Sequence, residues 1–116
     1  MKLLTAELRE KLIKAAAARE AGDTTPQRPI VKFFCPWNAC TWLISEITEE
    51  DEGDAMMFGL CDLGQGFPEL GYVTLGEMQS VRGPGGLTIE RDRHWSADKT
   101  LVEYADEARA AGRIKA

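Results

Sequence analysis

Asp62 and Glu69 bracket the segment CDLGQGFPE, and two carboxylates facing each other across a turn would be a chemically capable pair. One can hold a proton while the other stays ionised, or both can take a cation, because like charges at close range push their titrations apart. A hairpin turn centred between Gln65 and Gly66 sets Asp62 opposite Glu69, Leu60 opposite Gly71 and Phe58 opposite Val73. The last two pairs suit a ladder, whereas two acids directly opposite each other destabilise it. That register needs a shared proton, a cation, solvent at the sheet end or a bulge, and Gly64, Gly66 and Pro68 make a bulge easy. The reading favours a polar turn rim, with a carboxylate site as the alternative.

Arg91, Asp92 and His94, in ERDRHW, complete a candidate functional cluster with Asp62 and Glu69. His94 is the only histidine, so any nucleophile–imidazole pair must use it, and no G-x-S-x-G elbow offers it a partner. Cys35, Cys40 and Cys61 could join His94 as soft metal ligands, but zinc signatures pair two closely spaced couples, and here only the C-x4-C of CPWNAC is close. The thiols read as small core residues. The glycines of GLCDLGQG and RGPGG lack the lysine and the helix start of a phosphate-binding loop. No catalytic residue, metal or cofactor is expected.

A second candidate is electrostatic. Glu46, Glu49, Glu50, Asp51, Glu52 and Asp54 crowd the stretch from 46 to 54 and read as an acidic interaction face, or as a solvated loop. The chain has 19 acidic and 14 basic side chains and a formal net charge of −5, a field that repels phosphate backbones, so general nucleic-acid binding is not expected. Arg82, Arg91, Arg93, Arg109 and Arg113 leave room for a local basic patch in the last third. A small acidic domain can also imitate nucleic acid toward a protein that binds it.

The elements that must position these groups follow from periodicity and punctuation. Residues 1–22 read as an N-terminal helix with Thr5 as N-cap and Leu8, Leu12, Ala15 and Ala16 as its buried stripe. After the GDTTPQRP linker, residues 30–95 hold four to five strands: IVKFF, CTWLISEI, AMMFGLCDL, ELGYVTL and LTIERDRHW, with TEEDEGD as a turn. On the third strand, Met56, Phe58, Leu60 and Asp62 share a face. Thr74 and Glu77 have capping-box spacing for a short helical insertion, and RGPGG breaks the chain after it. Residues 98–112 form a C-terminal helix with Leu101, Tyr104, Ala105 and Ala108 inward and Gly112 at its end. Short turns between strands favour an antiparallel meander, so the expected class is α+β: one domain of 116 residues whose small sheet is packed by terminal helices.

The phrases MKLLT, VKFF, TWLISE, FGLCDLGQGFPELGYVTLGEMQSVRG, GLTIERDRHW and YADEARAAGRI carry a resemblance along nearly the whole chain. The sequence resembles an uncharacterised family, a domain of unknown function, of small bacterial proteins encoded on plasmids and integrative mobile elements. That resemblance implies a single cytoplasmic domain carried among accessory genes and transfers no catalytic residue. CPWNAC departs from the family pattern, which further weakens zinc at Cys35 and Cys40.

The expected function is a non-catalytic protein-interaction accessory of a mobile element, one version being inhibition of a host restriction or CRISPR nuclease. The competing expectations are a small hydrolase or metal-assisted enzyme built on Asp62, Glu69, Asp92 and His94, and an accessory factor for plasmid replication or transfer. No run approaches the roughly 20 apolar residues of a membrane span and the three cysteines are odd in number, so a cytoplasmic location without a membrane partner is expected.

Overall fold

A computed structural model describes residues 2–116; Met1, the first residue of the expected N-terminal helix, lies outside the described residues. Helix α1 (Ala6–Glu20) starts where the Thr5 hydroxyl accepts the Leu8 N–H, satisfying one of the free amides of a helix N-terminus. Strands β1 (Val31–Phe34), β2 (Thr41–Asp51), β3 (Asp54–Asp62) and β4 (Glu69–Thr74) follow as an antiparallel meander. The short helix α2 (Leu75–Ser80) begins with the Thr74/Glu77 capping box. A single 3-10 turn (Pro84–Gly86) leads to β5 (Glu90–Arg91) and then α3 (Leu101–Ala111), which ends on Gly112 at φ 75°. A left-handed C-cap is where glycine is favoured over any residue with a Cβ.

The sheet order is β4-β3-β2-β1-β5, every pairing antiparallel, with helices on both faces; the fold is α+β. Alternation along the strands decides what each face buries. On one face Val31, Phe33, Trp42, Ile44, Ile47, Ala55 and Met57 pack with Leu3, Leu4 and Leu12 of the α1 region and with Leu75 and Met78 of α2. On the other, Leu43 and Leu60 pack with Leu101, Tyr104, Ala105, Ala108 and Ile114 of the α3 region. Each large side chain buried this fully contributes about 1.5–3 kcal/mol.

Two bulges in β2, at Ser45 and Thr48, shift its phase against β3. Beyond the first, Glu46 lies opposite Phe58, on the α3 side of the sheet, and Ile47 opposite Met57, on the α1 side. The acidic stretch is also more regular than a loop. β2 runs through Asp51 and β3 starts at Asp54, so only Glu52 and Gly53 turn, at φ 45° and 85°. Positive φ at both central positions matches the two-residue hairpins whose twist suits antiparallel strands.

The β3–β4 hairpin departs from its expected register by one residue. Cys61 lies opposite Glu69, Leu60 opposite Leu70 and Phe58 opposite Tyr72. Such a slip moves a side chain to the other face. Asp62 therefore points to the α3 side, while Glu69 shares the opposite face with Cys61, and the two acids form no facing pair. The connecting loop of residues 63–68 uses Gly64 and Gly66 at positive φ, which frees its centre from the symmetric tight turn.

Candidate functional site

The expected cluster is scattered. Glu69 is exposed on β4 and Arg91 sits on β5, the two opposite edges of the sheet, four strand spacings or roughly 19 Å apart. Asp62 is only 2% exposed and accepts the N–H groups of Gly64 and Ile114, both at 2.9 Å. Its carboxylate ties the end of β3 to the segment after α3. Arg91, Asp92 and His94 do meet in one shallow depression with Phe34 and Glu90. There, however, the Arg91 guanidinium donates to the Lys2 and Leu3 carbonyls, Asp92 accepts the His94 backbone N–H at 3.3 Å, and the His94 residue is exposed. Among the described residues, no three His, Cys, Asp or Glu side chains converge as a metal site.

The basic residues of the last third are largely committed as well. Arg82 donates to the Gln79 and Val81 carbonyls and Arg109 to Asp106. Cys35 and Cys61 are free thiols whose pKa values burial pushes up to about 11, which keeps them protonated at neutral pH.

One residue expected on the acidic face lies in the interior instead. Glu46 is 2% exposed and is not part of a surface. Its two oxygens accept Arg19 Nε, both at 3.1 Å, and one also accepts Gln27 Nε2 at 2.6 Å, while the Ser45 hydroxyl donates to Gln27 Oε1 at 3.2 Å. The carboxylate holds the Arg19 guanidinium above its ordinary pKa, first by that hydrogen bond and then by its charge. A buried acid has to be paired and hydrogen-bonded in this way. Glu50 pairs with Arg9 on the α1 side, and Asp54 accepts the Gly76 N–H at the start of α2. Glu49, Asp51 and Glu52 remain exposed at the hairpin end.

What the fold brings together instead is a strip on the α3 side of the sheet. α3 has 11 residues, about 16 Å, whereas the nine residues of β3 span about 30 Å, so one helix leaves part of that face uncovered. Met56, Phe58 and Tyr72 lie at the margin of this part: Met56 and Phe58 are half-buried, Phe58 still packing against the α3 cluster, and Tyr72 is exposed. The Phe58 and Tyr72 rings lie 5.0 Å apart at 57°, a favourable tilted arrangement, yet Tyr72 stays 62% exposed. On one side, Phe58 enters a cleft of about 320 Å³ formed with Arg19, Asp23, Gln27, Leu101 and Val102, and Val102 is itself 60% exposed. On the other, Met56 enters a cleft of about 190 Å³ with Glu49, Asp51, Asp54 and Thr74.

Alternation places Met56 and Phe58 together, but that they stay half-buried rather than buried depends on how far α3 reaches, and Tyr72 joins them only in the observed register. No curated protein and no solved structure matches the chain. Over residues 3–115 it fits a family model, and it belongs to that family, described as protein of unknown function (DUF2958).

Proposed function

We propose that the chain is a non-catalytic protein-interaction accessory of a mobile genetic element, and that its partner is a host defence nuclease. The observation that carries the interaction reading is the strip of Met56, Phe58 and Tyr72, in which an exposed Tyr72 leans on the half-buried Phe58 beside half-buried Met56, because an aromatic side chain presented on a sheet with apolar neighbours is what protein interfaces use as an anchor. The net charge of −5 and the exposed acids of the β2–β3 hairpin support a partner with a cationic surface, as nucleic-acid enzymes have. The mobile-element setting rests on what the resemblance of the sequence phrases implies.

The test is capture of host proteins on the immobilised chain after nuclease treatment of the lysate, run in parallel with the Tyr72→Ala variant. A nuclease subunit retained by the native chain and lost with the variant is the expected result. Retention that depends on intact nucleic acid, or that the variant leaves unchanged, overturns the reading.

A further inference from the structure

We infer that the strip formed by Met56, Phe58 and Tyr72 takes a cationic, partly apolar segment of a partner protein, laid between the two clefts that flank it; this rests on the interaction reading and gives the partner's contact a chemistry. The charge distribution carries the inference. Across the two clefts the charged lining residues are Asp23, Glu49, Asp51 and Asp54 against Arg19 alone. Arg19 already gives its Nε to the buried Glu46, so it offsets an interior charge before it can offset any of the rim.

An apolar partner would leave those carboxylates beside a desolvated surface without compensation, which costs free energy. An acidic partner would add like charges to them. A segment carrying lysine or arginine on either side of an apolar residue satisfies both parts of the surface: the apolar group covers the Phe58 and Tyr72 rings, and the cations reach Asp23 on one side and Glu49 and Asp51 on the other. Cations over aromatic faces add to this. β4 is also a sheet edge, so an extended segment can lie alongside Tyr72 without displacing a strand.

The experiment is a titration of the isotopically labelled chain, followed by amide chemical shifts, with three synthetic peptides of equal length: alternating Lys-Phe, alternating Glu-Phe and alternating Lys-Ser. The Lys-Phe peptide is expected to shift Met56, Phe58 and Tyr72 and to bind at least tenfold more tightly than either of the others, with affinity falling as salt is raised. The Glu49→Lys/Asp51→Lys double variant, whose changes lie at exposed positions, should lose at least tenfold for Lys-Phe while its circular dichroism stays native. Equal binding of Lys-Phe and Glu-Phe at the strip overturns the cationic assignment and leaves the interaction reading standing. Shifts confined to the strip that depend on the concentration of the chain alone would assign the surface to a second copy and overturn it too. If no peptide moves the strip the inference fails, whereas a capture result insensitive to Tyr72 overturns the interaction reading on which it rests.

Discussion

Ile114 donates its backbone N–H to Asp62 Oδ2 at 2.9 Å across 52 positions of chain, and the same carboxylate takes the Gly64 N–H through its other oxygen. A residue that looks like half of a catalytic pair in the sequence is a buried fastener between β3 and the end of α3. Replacing it with alanine strands two amides, one of them in a buried bond, and should cost about 2–3 kcal/mol of unfolding free energy. Asp62→Asn keeps one acceptor and should cost less. Urea denaturation of both variants checks the order; equal stability of native and Asp62→Ala would contradict the assignment.

Gly59 and Gly71 lie opposite each other in the β3–β4 ladder, and they should respond to alanine in opposite ways. A Cβ on Gly59 would stand 2.0 Å from the Leu43 carbonyl oxygen, a backbone atom that cannot turn aside, while one on Gly71 would meet nothing within 4 Å. Gly59→Ala should cost about 3 kcal/mol or more, or give no soluble protein. Gly71→Ala should be neutral or stabilising by up to about 1 kcal/mol, through lower entropy of the unfolded chain. Midpoints of thermal unfolding for the two variants decide it.

Acid should loosen the α3 region. The Asp98 carboxyl is held below its ordinary pKa, first by the Tyr104 hydroxyl and then by Lys99, and the Glu103 carboxyl by the Thr100 backbone N–H of its capping box. Their folded pKa values lie below the unfolded ones, near 4. Their stabilisation is therefore complete above roughly pH 4 and is lost as pH falls through the lower folded values. Between pH 6 and pH 3 the unfolding midpoint should fall, and Asp98→Asn should flatten that fall; an identical pH profile would contradict it.

Thiol reactivity should be low at Cys35 and Cys61. Cys35 and Cys61, with pKa values near 11 from burial, expose almost no thiolate at pH 7.5. Iodoacetamide should label both slowly in the native state and quickly after denaturation, as peptide mass spectrometry would read. Rapid native labelling of Cys61 would place that thiol in water.

Local signals decide much of the architecture, and the elements that depend on distant residues escape them. The Thr5 cap, the Thr74/Glu77 capping box, the Gly112 stop and the inward set Leu101, Tyr104, Ala105 and Ala108 were all legible, because each depends on neighbours within one helical turn. The β3–β4 register was not, since six loop residues with two left-handed glycines admit centres half a residue apart, and that shift is enough to separate Asp62 from Glu69. Glu46 opens an acidic run and so reads as surface; the bulge at Ser45 and the distant Arg19 and Gln27 that bury it leave no mark in local spacing. The candidate strip had the same fate, with Met56 and Phe58 visible as a face but its openness set by the short reach of α3.

The most direct measurement is hydrogen–deuterium exchange of the native chain alone and bound to the partner it captures. Slowed exchange confined to β4 and the Met56–Phe58 segment of β3 is the predicted result. Protection centred instead on the Arg91–His94 edge, with the strip unchanged, would contradict the account.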